Sequence, residues 1–201
     1  SGSWQVARST GSSFTAPTTW QGGFGGGQTP LMGDFNGDQR LDAGAVSNGT
    51  WLIALSTGTS FASPTTWLAG FGAGASPLTG DFNGDGLTDV AAASSGTLSV
   101  ALSDGTRLVA QSTAWVSGFG SGQALTSADV NGDGLTDLLY YDKATGAVVA
   151  AYSTGQGFGA AQALMSDHPF GLRSPDDVLQ VGDFRGNGLS GFGVFNAVSG
   201  A

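Results

Sequence analysis

The sequence predicts an all-β protein, a β-propeller of four blades with four antiparallel strands each. Three observations carry this. An Asp-rich segment recurs four times at nearly constant spacing. Short apolar runs alternate with turn residues, and no window has the period of an amphipathic helix. The 36 glycines fall at fixed places inside the repeat, so they read as turn residues.

The four Asp-rich segments are Asp34-Phe35-Asn36-Gly37-Asp38, Asp81-Phe82-Asn83-Gly84-Asp85, Asp129-Val130-Asn131-Gly132-Asp133 and Asp183-Phe184-Arg185-Gly186-Asn187, spaced by 47, 48 and 54 residues. Other landmarks hold the same phase. Trp4 and Trp51 are 47 apart, and Trp20, Trp67 and Trp115 are 47 and 48 apart. Phe24-Gly25, Phe71-Gly72, Phe119-Gly120 and Phe170-Gly171 precede the four loops. The repeats run roughly over residues 1–47, 48–94, 95–142 and 143–201, within one domain spanning 1–201.

The second repeat illustrates the four strands. The first is Trp51-Leu52-Ile53-Ala54-Leu55-Ser56 and the second lies around Thr65-Thr66-Trp67-Leu68. The third is Pro77-Leu78-Thr79-Gly80-Asp81-Phe82 and the fourth Thr88-Asp89-Val90-Ala91-Ala92-Ala93. Asn48-Gly49 between apolar runs signals a tight hairpin, with Ser95-Gly96 and Thr145-Gly146 at the equivalent places. Ala91, Ala92 and Ala93 suit the crowded region near a propeller axis. Four strands per repeat of this length is the pattern of a propeller blade. The chain starts on a first-type strand, Trp4-Gln5-Val6-Ala7, and stops after a fourth-type strand, Val194-Phe195-Asn196-Ala197. These two are expected to pair and close the ring, which removes exposed edges. The alternative is half of a larger ring.

All 15 acidic residues are Asp, against six basic residues, for a formal charge of −9. That balance argues against a nucleic-acid or anionic-membrane surface. There is no Cys, so disulfides cannot reveal the redox compartment. No apolar run approaches a membrane span, so no membrane insertion is expected, and Ser1 does not begin a signal peptide.

The loops follow D-x-N-x-D with a further Asp at position nine. Calcium takes six to eight hard oxygen ligands at about 2.3–2.6 Å. Three calcium sites are therefore expected. The first uses Asp34, Asn36, Asp38, the carbonyl of Arg40 and Asp42. The second uses Asp81, Asn83, Asp85, the carbonyl of Leu87 and Asp89. The third uses Asp129, Asn131, Asp133, the carbonyl of Leu135 and Asp137. The fourth loop, Asp183 to Gly191, is degenerate: Arg185, Asn187 and Gly191 replace ligands, and Arg185 is expected to pair with Asp183. Two carboxylates about 5 Å apart repel by roughly 3 kcal/mol at an effective dielectric near 20, which favours a bound cation. The bland alternative is a set of Asx turns without metal. An EF-hand fits poorly, because the flanks are strands and the last carboxylate comes too early.

At these residues the chain resembles the FG-GAP and VCBS repeat family of calcium-binding β-propellers, which includes the propeller head of integrin α subunits. The motif that names the family is similar to Phe71-Gly72-Ala73-Gly74, and its calcium loop to Asp81 through Asp89. The resemblance implies calcium at a blade-edge hairpin that stiffens the fold without reading ligand, and a secreted or cell-surface location. Integrin propellers have more and longer repeats, and their ligand-reading loops have no counterpart here.

A binding module is the first functional reading. Trp20, Trp67 and Trp115 each stand four residues before a Phe-Gly pair. If exposed, they form repeated platforms for sugar rings; if wedged between blades, they are core. The competing class is a structural or protein-interaction domain, monomeric or homodimeric. An enzyme is the weakest reading. The single His, His168, lies in the segment Met165 to Asp177 with Asp167, Arg173, Asp176 and Asp177, a composition that reads as a solvated loop.

Overall fold

The computed structural model describes residues 2–142, 144–166 and 177–196. His168 and its neighbours, Phe170-Gly171 and Ala197 lie outside them. The described residues contain no helix, and hence none long and apolar enough to cross a membrane.

Sixteen strands follow one another: β1 (Ser3–Val6), β2 (Thr18–Gly22), β3 (Thr29–Gly33), β4 (Asp42–Ser47), β5 (Thr50–Ala54), β6 (Thr65–Leu68), β7 (Ser76–Gly80), β8 (Asp89–Ser94), β9 (Thr97–Ser103), β10 (Leu108–Ala110), β11 (Leu125–Ala128), β12 (Asp137–Asp142), β13 (Ala147–Ala151), β14 (Gln162–Met165), β15 (Asp177–Gly182) and β16 (Gly191–Asn196). They form three four-stranded antiparallel meanders, β3-β4-β5-β6, β7-β8-β9-β10 and β11-β12-β13-β14. Two further pairs, β1-β2 and β15-β16, stand as separate two-stranded sheets. Among the described residues the expected pairing of the terminal strands is not present, and β1-β2 and β15-β16 stand as two halves.

The sheets are out of phase with the sequence repeats by two strands. Residues 48–94 hold β5 and β6 of one sheet and β7 and β8 of the next. The reason is the tight hairpin at each repeat boundary, which joins the second and third strands of a single sheet. At Asn48-Gly49 both residues have positive φ (46° and 76°), as they do at Ser95-Gly96 (49° and 79°). Such paired values match the twist of the flanking strands. The β12–β13 connection is longer. Gly146 N–H donates to the Asp142 carbonyl (2.6 Å), and Thr145 keeps an ordinary backbone.

The second strand of each meander is buried on both faces, because neighbouring sheets cover it. Ala43, Ala45, Val90, Ala91, Leu138 and Leu139 are all inaccessible to solvent. The first two meanders use mostly Ala and Val here, while the third fills the position with Leu138 and Leu139. Phe35, Trp51, Ile53, Trp67 and Val90 fill the space between the first two meanders. Phe82, Leu98, Val100, Phe119 and Leu138 fill the space between the second and third. Successive sheets also meet through their first strands, β3 beside β7, β7 beside β11 and β11 beside β15.

Candidate functional site: three Asp loops and the sheet junctions

Each Asp-rich loop links the first and second strands of a sheet. Its opening Asp is a hub for the loop's own amides. Asp34 Oδ1 accepts from Gly37 N–H (2.7 Å) and Asp38 N–H (3.1 Å), and Oδ2 from Gln39 N–H (2.6 Å). Asp81 does the same with Gly84, Asp85 and Gly86. Asp129 holds Gly132 and Gly134. The Asn at position three bridges to position five: Asn36, Asn83 and Asn131 donate through Nδ2 to Asp38, Asp85 and Asp133. One anionic side chain thus satisfies two or three amides that a tight loop cannot pair internally.

The ninth-position Asp has a different place. Asp42, Asp89 and Asp137 are fully buried. Asp42 accepts from Phe35 N–H (3.0 Å) and Ser56 N–H (2.7 Å). Asp89 takes Phe82 and Ser103, and Asp137 takes Val130 and Ser153, in the same way. Each carboxylate therefore ties its loop to the end of the third strand. Burial pushes the Asp89 carboxyl up to about 7, against the pull of its two amide donors and with repulsion from Asp85 and Asp81 adding to it. Asp42 and Asp137 shift in the same direction for the same first cause.

The sequence expectation placed these oxygens around a cation. Their chemistry fits a hard ion: each loop offers three carboxylates, an amide oxygen and carbonyls, and the mutual repulsion felt at Asp89 is what a divalent ion would relieve. In the described geometry the carboxylates face backbone amides, and no three His, Cys, Asp or Glu side chains converge on one point among the described residues.

The first loop departs from the other two. Gln39 holds a left-handed backbone (φ 65°) where loops two and three have Gly86 and Gly134. Arg40 Nη1 pairs with Asp38 Oδ2 at 3.0 Å, so one of the carboxylates expected to meet a cation already has a protein cation. Leu87 and Leu135 instead lie over Gly37 and Gly84 of the preceding loop, where a Cβ would meet them at 2.8 Å. In the fourth loop the expected Arg185–Asp183 side-chain pair is absent. Asp183 accepts from the backbone N–H groups of Arg185, Gly186 and Gly188, the same hub as elsewhere, and these bonds, that of Gly188 foremost, hold its carboxyl below the usual range.

Serine residues that sequence reasoning missed couple successive sheets. Ser103 Oγ–H donates to the Phe35 carbonyl (2.7 Å) and Ser153 Oγ–H to the Phe82 carbonyl (2.8 Å). The signal was present: Ser9-Thr10-Gly11, Ser56-Thr57-Gly58, Ser103-Asp104-Gly105 and Ser153-Thr154-Gly155 share one register. Backbone bonds repeat between loops too, from Thr88 N–H to the Asp34 carbonyl, Thr136 to Asp81 and Ser190 to Asp129.

The three candidate platform tryptophans lie at the junctions between sheets. Trp67 is buried (8% exposed), packed edge-on against Phe35 at 6.3 Å, with Nε1–H donating to Thr65 Oγ1. A sugar platform at Trp67 is therefore overturned: its ring is already covered by protein. Trp20 and Trp115 are half-buried, against Phe61 (5.1 Å) and Phe158 (5.9 Å). Trp51 is core, its Nε1–H bonded to the Phe71 carbonyl.

The sequence pattern of the FG-GAP-like repeat family matches residues 34–92 and, overlapping, 81–140. No curated protein matches this chain in sequence. Among solved structures, the chain is similar to an Agrocybe aegerita lectin described as specifically recognising non-reducing terminal N-acetylglucosamine. The TM-score is 0.72 at 21% identity, over 95% of this chain and 54% of that one. It is also similar to part of the Photorhabdus luminescens Tc holotoxin pore, with a TM-score of 0.70 at 18% identity, over 98% of this chain and 10% of that one. These likenesses are of fold, and the chain spans about half the length of the lectin. The repeated loops, the meanders between them and a pattern match over more than half of the residues make this chain a member of the FG-GAP-like repeat family.

Proposed function

We propose that the chain is a calcium-stabilised β-propeller module that binds carbohydrate outside the cell. The observation that carries the reading is the fold likeness to a sugar-binding lectin over 95% of the chain. A chain with only 10% charged residues and many Ser and Thr hydroxyls supports it, because sugar hydroxyls need neutral donors and acceptors. Calcium is held by the three loops named above, most weakly by the first, where Arg40 occupies Asp38. The extracellular location follows from the millimolar calcium that all-oxygen sites of this kind match. The fourth blade forms from β15-β16 and β1-β2, which supply the two halves a meander needs. Calcium titration monitored by calorimetry tests the metal: saturable binding and a melting point lowered by chelator are expected. A glycan screen with calcium and with chelator tests the ligand. A glycan-free structural or protein-binding role is the second reading, favoured by the burial of Trp67, and an empty screen would select it.

A further inference from the structure

We propose that the sugar enters a polar cleft where the second meander meets the connection into the third, and that this cleft selects a neutral pyranose. The inference rests on the carbohydrate reading and moves its site away from the tryptophans. The cleft has a volume of about 420 Å³, and Ser76, Ser94, Ser95, Gln123 and Leu125 line it. That size lies within the range of small-molecule sites. Three hydroxyls and a carboxamide face it, with no ionisable side chain among the lining residues. None of these four polar side chains is bonded to another protein group among the described residues. They are free to exchange water for sugar hydroxyls, and the lack of charge favours hexoses and N-acetylhexosamines over acidic sugars. Leu125 supplies an apolar wall for a C–H face.

The backbone around the cleft is fixed before any ligand arrives. Phe119 N–H donates to the Gly96 carbonyl (3.0 Å) and Gln123 N–H to the Gly120 carbonyl (2.9 Å). Gly120 has φ 57°, and a Cβ there would meet Leu125 and Tyr140 within 3 Å, so the turn lies flat on the sheet. A preformed site avoids the ordering cost of binding. The cleft also belongs to the repeat. A second one, of about 260 Å³, is lined by Gly2, Trp4, Phe24, Gly25 and Pro30. Gly2, Gly25 and Pro30 stand at the repeat positions of Gly96, Gly120 and Leu125, which line the first cleft.

The test is an array of neutral and acidic glycans probed with the wild-type chain, followed by titration of its strongest binder, as free oligosaccharide, into wild type and the double variant Ser94→Ala/Gln123→Ala. Both side chains are unbonded in the fold, so the melting point should not move. The expected result is a neutral glycan bound at least tenfold more weakly by the variant. Equal affinity in the two proteins overturns the cleft and leaves the carbohydrate reading standing. Preference for acidic glycans overturns the neutral selectivity. No glycan bound by wild type refutes the carbohydrate reading, and the cleft with it.

Discussion

Trp67→Ala separates a core tryptophan from a ligand platform. The side chain is 8% exposed, touches Phe35 edge-on and closes the junction between the first and second meanders. Removing a buried Trp costs about 3–5 kcal/mol in transferred surface and residual cavity. The Thr65 hydroxyl that it leaves is partly solvated, so little is added for a lost hydrogen bond. For a domain of this size each kcal/mol shifts the melting point by roughly 2–4 °C, so a fall of about 6–20 °C is expected. The assay is thermal unfolding by circular dichroism in calcium, with Trp20→Ala as comparator. The half-buried Trp20 should lose roughly half as much. A Trp67 variant melting within about 2 °C of wild type would refute the core assignment and return this residue to the surface.

Replacing Gln39 by Gly should stabilise the first loop by about 0.5–1 kcal/mol, since a left-handed non-Gly residue is strained, and Gly86→Gln should do the reverse in loop two; chemical denaturation reads both. Ser103→Ala should cost about 1–3 kcal/mol by the same assay, because it leaves the Phe35 carbonyl without its donor in a buried junction. Gly72→Ala places a Cβ against Ala92 at φ 67° and should destabilise by about 1–3 kcal/mol, so poor yield or a lowered melting point is the expected outcome. Bonds from the Thr106 hydroxyl and amide, together with Arg107, hold the Asp104 carboxyl down to about 2. Its ionised form favours the folded state, so this contribution is present above about pH 4 and is lost as pH falls through about 2. An NMR titration that finds Asp104 at the ordinary value would contradict that network.

The sequence by itself determined the elements. A period of 47 and 48 residues, with Asp loops, Phe-Gly pairs and X-Gly hairpins in register, can be met only by short strands and tight turns, and the strands stand where the pattern put them. The Asp-rich loops were legible as loops between strands, but the sequence directed their oxygens to a cation, and only the structure shows the opening Asp accepting from the loop's own amides. Which strands share a sheet was not legible. A repeat shows periodicity but no origin, and only hydrogen-bond pairing reveals that each sheet begins with the strand before the Asp loop rather than with the strand after the hairpin. The same limit applied to the tryptophans. Local sequence is indifferent to whether an indole faces solvent or the next sheet, and the packing of Phe35 on Trp67 decided it across 32 residues. The ninth-position Asp also needed tertiary structure: its partner amides at Ser56, Ser103 and Ser153 come from another strand, at a distance no motif records. Short-range chemistry fixes what is adjacent in the chain, and the burial and pairing that give those residues their work arise only when separate strands meet.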